Sequence, residues 1–333
     1  MRTEESSGGG FAKGSTPAVS VIVAAYNAAR FIGETLTSVL AQTFEDYELI
    51  LVNDGSPDTE ELERALEPFR ARIVYVMQEN RGAGAARNRA LREARAPLVA
   101  FLDADDQWLP GYLGEQIAFI ERGGYDLVYA DAMIFGDPSL AGRTFMDTAP
   151  SAGEVNFEGL LSGRVNVITS GVVARKNSVF NAGLFDEGLR NAQDFDLWVR
   201  MVRGGARAAF QRKVLLRYRQ HASSLSGDAA NRVARELRVL DKIETYDLVP
   251  AERSEVSKAR EKIHANIELE SGKLHLAHGR FAEARAAFRK ANGVLKSWKL
   301  RAVLLCLGVA PRLVLRVARG RLPTTGQGER PRN

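Results

Sequence analysis

The chain has 333 residues, and its 46 Lys and Arg against 41 Asp and Glu give a formal net charge of +5. A single cysteine, Cys306, excludes an intrachain disulfide and fits a reducing compartment. The longest strongly apolar run, 302–311, is well short of the roughly 20 residues that span a bilayer. Composition therefore argues against a membrane-spanning protein, a disulfide scaffold and a disordered chain.

The basic charge is concentrated near the C-terminus. Residues 280–333 contain 13 Lys and Arg but only 2 Asp and Glu, a net charge of +11. Residues 1–279 keep the other 33 basic and 39 acidic residues, a net charge of −6. The isoelectric point near 9.3 therefore does not indicate nucleic-acid binding by the main part of the chain, and we expect no nucleic-acid partner.

Four apolar runs alternate with helical patterns in the first part of the chain. The runs are rich in Val, Ile and Leu, as in strands buried on both faces, and they cover 19–25, 47–53, 72–78 and 97–103. Apolar residues at helical spacing over 31–40, and an Ala-, Arg- and Leu-rich stretch over 83–95, predict helices between them. This order predicts an α/β fold with a mainly parallel central sheet flanked by helices.

The remainder of the chain has a looser pattern. Further strands are predicted at 126–135, 172–175 and 215–219, with a loop-rich stretch over 136–165. Residues 1–16 are polar and rich in Gly and Ser, which predicts a disordered tail. We therefore expect a disordered segment over 1–16, an α/β domain over 17–228 and a helical extension over 229–333.

Three carboxylates lie at the end of the fourth predicted strand: Asp103 is its last residue, and Asp105 and Asp106 follow it directly. Like charges at a strand end need a cation or hydrogen-bond donors to offset their repulsion. A hard divalent ion is often held by one or two carboxylates together with phosphate oxygens. The alternative is a solvated Asp-rich turn that caps the helix after it. The first interpretation is favoured by position, because ligands of such sheets bind beyond the carboxyl ends of the strands.

Polar residues follow the other strands of this sheet too. At 53–56, Asn-Asp-Gly-Ser is either a turn with a helix cap or a site where Asp54 accepts a hydrogen bond from a nucleotide base. Segment 80–88 combines a Gly-rich entry with a helix start, where anions bind, but lacks the Gly-Lys-Ser/Thr ending of a phosphate-binding P-loop. Arg87 in this segment either contacts a phosphate or base, or is a solvent-facing helix charge.

Two later segments contain further candidates. Asp194 precedes a predicted amphipathic helix and is either its N-cap or a general base. Arg219 and His221 follow a short apolar stretch. They either contact a diphosphate or its metal ion, or belong to a basic edge strand.

Seven motifs in one order resemble the family-2 inverting glycosyltransferases, which have the GT-A fold. They are Pro-Ala-Val-Ser-Val-Ile-Val-Ala-Ala-Tyr-Asn at 17–27, Val-Asn-Asp-Gly-Ser at 52–56, Asn-Arg-Gly to Arg-Asn at 80–88, Phe-Leu-Asp-Ala-Asp-Asp at 101–106, Gly-Leu-Phe-Asp-Glu at 183–187, Gln-Asp-Phe-Asp-Leu-Trp at 193–198 and Tyr-Arg-Gln-His at 218–221. The resemblance covers about residues 17–226. Two positions depart from the family pattern, since Asn53 and Gln193 stand where acids are usual, but the following acids, Asp54 and Asp194, are kept.

The resemblance implies a role for each candidate. Asp194 would deprotonate the acceptor hydroxyl, and Asp105 with His221 would bind Mg²⁺ or Mn²⁺ on the donor diphosphate. Residues 17–120 would form the nucleotide-binding half and 121–228 the acceptor half. The residues expected to contact the nucleotide sugar are Ala25, Tyr26, Asn27, Asp54, Asn80, Gly82, Arg87, Asp103, Ala104 and Arg219.

The implied activity is metal-dependent transfer of a sugar from a nucleotide diphosphate, most often UDP, to a hydroxyl of a glycan or lipid-linked acceptor. Two alternatives remain. A sugar nucleotidyltransferase normally has a Gly-rich, basic loop after the first strand, where this chain has Ala-Ala-Tyr-Asn at 24–27. A non-catalytic scaffold would bind a partner through the helical C-terminus, but the retained acids argue against it. Nothing in the sequence identifies the donor sugar.

The C-terminal tail suggests a location. Arg312, Arg316 and Arg319 share one face of a predicted helix, apolar residues lie between them, and Trp298 precedes them. A basic amphipathic segment with Trp is typical of helices that lie in an anionic membrane surface. The alternative is a helical hairpin packed on the main domain with solvated arginines. We expect a cytoplasmic protein, peripheral at the inner face of the cell membrane.

Overall fold

The computed structural model describes residues 16–221 and 229–318. The chain divides into two compact units, Met1–Asp228 and Ala229–Asn333. The predicted disordered tail, apart from Thr16, lies outside the described residues.

The first unit is built on one eight-stranded sheet. Its strands are β1 Val19–Ala25, β2 Tyr47–Asp54, β3 Val74–Gln78, β4 Leu98–Asp103, β5 Gln107–Trp108, β6 Leu127–Phe135, β7 Val172–Arg175 and β8 Ala208–Arg219. Their order in the sheet is β3-β2-β1-β4-β7-β6-β8-β5.

Helices flank the sheet, and the described part of the second unit consists of helices joined by short turns. Those of the first unit are α1 Ala29–Leu40, α2 Thr59–Leu66, α3 Ala83–Glu93, α4 Tyr112–Gly123, α5 Phe145–Thr148, α6 Phe157–Leu161, α7 Lys176–Asn181 and α8 Gln193–Arg203. Those of the second unit are α9 Ala229–Glu244, α10 Pro250–Ala277, α11 Phe281–Leu295, α12 Trp298–Val309 and α13 Pro311–Ala318.

Strands β1 to β4 form a parallel half-sheet, as predicted. Strand β1 pairs in parallel with β2 and β4, and β2 with β3. Val21 and Val23 of β1 pack in one core cluster with Ile32 and Leu36 of α1. Continuous burial of β1, β2 and β4 explains why their sequences are apolar without alternation.

The other half of the sheet is mixed. Strand β7 is antiparallel to β4 and β6, β6 is parallel to β8, and β8 is antiparallel to β5. Strand β8 begins at Ala208, well before its predicted start at 215. Its early part is interrupted by the polar run Gln211-Arg212-Lys213, which hides the strand in the sequence pattern. The α/β class is confirmed, and the sheet as a whole is mixed.

The register of the strands places the polar loops at one edge. Ala24 lies opposite Asp103 and Ala25 lies opposite Asn53, so β1, β2 and β4 end at the same level. Asp54 lies opposite Gln78 at the end of β3. The loops that follow the four strands therefore emerge side by side.

The second unit is helical, as predicted. Helices α10 and α11 are joined by a turn at Gly279, which has a left-handed φ of +71°. Leu276, Phe288 and Leu307 lie in a buried cluster of this unit. In the described ranges, no helix combines the length and apolarity that a membrane crossing requires.

Candidate active site

The loop after β1 is tied to the loop after β2. Asn27 adopts a left-handed φ of +51°, a conformation that Asn tolerates better than most residues. Its backbone N–H donates to Ser56 Oγ at 2.6 Å. Ala25 is the buried end of β1, and the Tyr26 side chain is 53% exposed at the sheet edge. Beside them opens a cavity of about 430 Å³, lined by Asn27, Ala29, Arg30, Phe31, Asp58 and Glu61.

Asp54 is buried, and both of its carboxylate oxygens accept hydrogen bonds from the protein. Oδ1 accepts from Gln78 Nε2 at 2.8 Å and from the backbone N–H of Arg81 at 2.9 Å. Oδ2 accepts from the backbone N–H of Gly82 at 2.8 Å. Asp54 therefore shapes the loop before α3, a role that the sequence did not reveal. Contact of Asp54 with a nucleotide base stays a prediction.

A glycine allows the second and third loops to approach each other. Gly55 has a left-handed φ of +59°, and a Cβ at this position would lie 2.5 Å from the backbone nitrogen of Asn80. Only glycine avoids both the conformational strain and this overlap. Asn80 is exposed at the entrance of the loop, and Gly82, at φ +91°, leads into α3.

Arg87 of α3 is buried and holds Asp103. Its Nη2 donates to Asp103 Oδ1 at 2.6 Å, and the guanidinium lies 5.5 Å from the ring centroid of Phe185. The alternative that Arg87 is a solvent-facing charge is wrong, because only 7% of the residue is exposed. Within the described part of the chain, its Nη1 is buried without a hydrogen-bond partner.

The loop after β4 is fixed by Asp106. Asp106 is fully buried; Oδ2 accepts a hydrogen bond from Ser170 Oγ, and Oδ1 accepts one from the backbone N–H of Arg219 at 2.8 Å. Ser170 Oγ in turn accepts from the backbone N–H of Asp103 at 3.1 Å. Burial, followed by the charges of Asp105 and Asp103, raises the pKa of Asp106 well above its usual range. Asp106 is therefore a structural acid of this loop.

Asp103 and Asp105 keep part of their carboxylates exposed. Their side chains are 36% and 30% accessible to solvent. Asp105 Oδ2 lies 3.0 Å from His221 Nε2, and the His221 ring stacks on Phe31 at 4.8 Å between centroids. Burial and the neighbouring Asp103 charge raise the pKa of Asp105. A positive charge at this position would offset both effects.

Ala104 and Arg219 complete the support of the acidic loop. The Ala104 carbonyl accepts from Thr35 Oγ1 at 3.0 Å. Arg219 Nε donates to the Asp105 carbonyl at 2.8 Å, and Arg219 Nη2 donates to Glu34 Oε2 at 2.6 Å. Arg219 therefore orients the loop, and its contact with a diphosphate stays a prediction.

Asp194 lies in the first turn of α8, one residue inside the helix. The N-cap alternative for Asp194 is wrong, because the helix begins at Gln193 after Ala192, whose φ is +57°. Asp194 Oδ2 accepts from Thr169 Oγ1 at 2.7 Å, and Oδ1 accepts from the backbone N–H of Phe195 at 2.8 Å. The carboxylate is partly exposed and held by defined donors.

Two adjacent hydroxyl residues join Asp194 to the acidic loop. Thr169 binds Asp194, and Ser170 binds both Asp106 and the backbone of Asp103. The Ser170 carbonyl accepts from Trp108 Nε1 at 2.8 Å, which fixes this segment further. Neither hydroxyl was predicted from the sequence, where the one local signal is a pair of hydroxyl residues before an apolar strand.

Comparison with known proteins identifies the family. The model of "Glycosyl transferase family 2" matches residues 20–181. The UDP-Glc:alpha-D-GlcNAc-diphosphoundecaprenol beta-1,3-glucosyltransferase WfaP of Escherichia coli is 30% identical over 227 residues, 68% of this chain and 86% of WfaP. The chain belongs to glycosyltransferase family 2. It spans only 36% of the length of an uncharacterized glycosyltransferase of Rickettsia felis, which is 29% identical over 224 residues, 65% of this chain.

Solved structures confirm the GT-A fold. Residues 1–349 of S. aureus TarS, in complex with UDP-GlcNAc, align with a TM-score of 0.60 at 19% identity, over 92% of this chain and 93% of that one. The mannosyltransferase PcManGT of Pyrobaculum calidifontis, in complex with GDP-Man and Mn²⁺, aligns with a TM-score of 0.58 at 18% identity, over 96% and 91%. At these identities the likeness concerns the fold.

Proposed function

We propose that the chain is a metal-dependent inverting glycosyltransferase that moves a sugar from a UDP-sugar to a hydroxyl group of its acceptor. The observation that carries this proposal is the pair Thr169-Ser170. Through it, the Asp194 carboxylate and the loop of Asp103 and Asp105 share one scaffold at the edge where the strands end. The Thr169-Ser170 pair therefore links a carboxylate suited to act as a general base, Asp194, to the carboxylates suited to bind a cation.

The donor set fits a divalent cation held jointly with a diphosphate. Among the described residues no group of three or more His, Cys, Asp and Glu side chains forms a closed metal cage. Mg²⁺ and Mn²⁺ sites of nucleotide enzymes commonly use one or two side chains and complete their shell with phosphate oxygens and water. Asp105 Oδ2 and His221 Nε2 would supply the protein donors. When bound, the ion would neutralise charge on the departing diphosphate.

Asp194 supplies the base in this proposal. The acceptor hydroxyl would donate its proton to the Asp194 carboxylate while its oxygen forms a bond to the anomeric carbon. The bond from that carbon to the diphosphate oxygen breaks on the opposite face, which inverts the configuration. Thr169 keeps Asp194 Oδ2 in one orientation, as a general base requires.

The nucleotide would lie across the loops of β1 to β4. The exposed ring of Tyr26 offers a surface for the base. Asp54 holds the backbone of 80–82 in place, and Arg87 Nη1 is a buried donor without a protein partner among the described residues. Residues 17–120 would therefore bind the nucleotide and 121–228 the acceptor.

For the acceptor we propose a lipid-linked glycan of cell-envelope polysaccharide synthesis, used at the cytoplasmic side of the membrane. The name of WfaP describes action on a sugar linked to diphosphoundecaprenol, which supports this choice. The two alternatives are less favoured. A non-catalytic scaffold would not need the hydrogen bond that holds the Asp194 carboxylate. A nucleotidyltransferase would have a basic, Gly-rich loop at 24–27, which this chain lacks.

The test combines donor binding with transfer. Calorimetry with UDP-glucose, UDP-N-acetylglucosamine and GDP-mannose, with and without Mn²⁺, identifies the donor. Transfer to a lipid-diphosphate-linked N-acetylglucosamine is then followed, and the anomeric configuration of the product is read by NMR. We expect Asp105→Asn to weaken Mn²⁺-dependent donor binding. We expect Asp194→Asn to bind donor normally and to lose about a hundredfold or more in transfer.

Asp46→Asn is the matched control. Asp46 is exposed before β2, at the opposite end of that strand from the site, and its carboxylate has no hydrogen-bond partner in the described ranges. It should behave as wild type. Normal turnover by Asp194→Asn would refute the base assignment, retention of configuration would refute the single displacement, and equal donor binding without Mn²⁺ would refute the metal dependence.

A further inference from the structure

Helices α12 and α13 expose apolar side chains on their outward surface. The inward side of α12 is accounted for, because Leu300 and Leu307 are buried in the cluster of the second unit. The residues with large exposed apolar side chains are Trp298 at 73%, Leu305 at 73%, Val309 at 89%, Leu313 at 58% and Val317 at 77%. We call these five residues the outward apolar face.

The spacing of these residues shows that the face is continuous along each helix. Trp298, Leu305 and Val309 are seven and four residues apart, which places them on one side of α12. Leu313 and Val317 are four residues apart on α13. Helix α12 is thus apolar on two opposite sides, of which its own unit covers one. An apolar strip of this length on a small protein marks an interaction surface.

The charge around this face has one sign. From residue 284 to 318 the chain contains no Asp or Glu. The basic residues of this stretch are Arg285, Arg289, Lys290, Lys296, Lys299, Arg301, Arg312 and Arg316. Among the described residues only Lys290 forms a salt bridge, with Glu268 at 3.2 Å. Four of these residues, Lys299, Arg301, Arg312 and Arg316, lie on the same two helices as the exposed apolar side chains.

We propose that the outward apolar face docks on an anionic lipid membrane. Long basic side chains reach the phosphate headgroups while Trp and aliphatic side chains enter the boundary with the acyl chains. A second copy of this chain would place one all-basic surface against another, which like-charge repulsion disfavours. Since no described helix can cross a bilayer, the contact is a surface contact. Arg319, which the sequence places on the same helical face, lies outside the described residues.

Docking would bring the chain to the membrane surface that carries a lipid-linked acceptor. Only this consequence rests on the proposed function. Docking itself needs neither donor nor catalysis. Vesicle binding is therefore measured without nucleotide sugar, so that a failure of docking and a failure of transfer are separate results.

The experiment is co-sedimentation of the full chain with phosphatidylcholine vesicles that contain or lack phosphatidylglycerol. We expect binding only when phosphatidylglycerol is present, and weaker binding at high salt. Arg312→Gln with Arg316→Gln should weaken binding about twenty-fivefold, because each basic residue at such a surface contributes roughly fivefold. Leu305→Ser with Val309→Ser should weaken it about a hundredfold, at about tenfold for each inserted side chain.

Matched controls come from α10 in the same unit. Lys258→Gln with Lys273→Gln removes the same charge from helix surfaces that also carry acids. Ile267→Ser with Leu274→Ser removes partly exposed apolar side chains of α10 itself. Both should bind as wild type, and all variants should keep the wild-type melting temperature. Equal vesicle binding by the test and control variants would overturn the proposal. A second outcome would also overturn it: wild type does not bind vesicles but forms a concentration-dependent dimer, and Leu305→Ser with Val309→Ser abolishes that dimer.

Discussion

Asp54 offers the sharpest separation between a structural and a ligand-binding role. In Asp54→Ala the chain loses an acceptor for Gln78 Nε2 and for the backbone N–H groups of Arg81 and Gly82. These are the contacts that set the course of the loop before α3. We therefore expect the variant to be less stable and to bind the donor poorly as a consequence.

The expected magnitude follows from the three contacts. A hydrogen bond to a charged acceptor contributes about 1.5–3 kcal/mol to stability. The residues that carry the three donors are at least partly exposed. Water can therefore replace part of the lost contacts, and we expect about 2–4 kcal/mol in total for Asp54→Ala. In Asp54→Asn, the retained Oδ1 can still accept from Gln78 and Arg81, but the new amide group faces the Gly82 N–H. We expect a loss of about 1–2 kcal/mol for that variant.

Urea denaturation measures the free energy of unfolding, and calorimetry measures UDP binding to the folded fraction. The exposed Asp46→Ala serves as control and should change stability by less than about 0.5 kcal/mol. A result in which Asp54→Ala keeps wild-type stability but loses UDP binding would refute this reasoning. It would show that Asp54 contributes to UDP binding only by direct contact with the nucleotide base.

Three further predictions concern the same edge of the sheet. Thr169→Val removes the hydrogen bond to Asp194 and should lower kcat about tenfold with little change in the KM for donor. If steady-state kinetics show an equal effect on donor affinity, Thr169 does not act by positioning Asp194. Gly55→Ala should lower stability by about 2–3 kcal/mol in thermal unfolding, because it combines a left-handed φ with overlap on Asn80. Burial raises the pKa of Asp106, so the native state keeps a proton that the unfolded chain releases above about pH 4. The free energy of unfolding should therefore fall as pH rises from there, and Asp106→Asn should flatten this slope in urea titrations, whereas an unchanged slope would assign it to other groups.

The buried strands were readable from local sequence because their environment is uniform. Strands β1, β2 and β4 are covered on both faces, so each residue is apolar and the run has clear ends. Strand β8 was read only in part, since its exposed middle residues break the apolar run. The sequence pattern did not predict helix α2 or the two-residue strand β5, and it gave no bounds for helix α4.

The carboxylates of the candidate site were also readable from the sequence. Acids directly after an apolar strand are unusual unless something stabilises them, and Asp103, Asp105 and Asp106 are of this kind. Their different environments were not readable. One is fully buried and two keep exposed oxygens, and this difference depends on Ser170 and Arg219, which are 64 and 113 residues from Asp106.

What the sequence determined by itself is thus the α/β class, the edge of the sheet that carries the polar loops and the residue types available there. These depend on periodicity and on strand ends, which are local properties of the chain. The tertiary structure alone decided that Asp54 shapes a loop, that Arg87 is buried against Asp103 and that Thr169 reaches Asp194. Each of these contacts joins residues distant in the chain, and no local sequence pattern specifies which distant residue will be the hydrogen-bond partner.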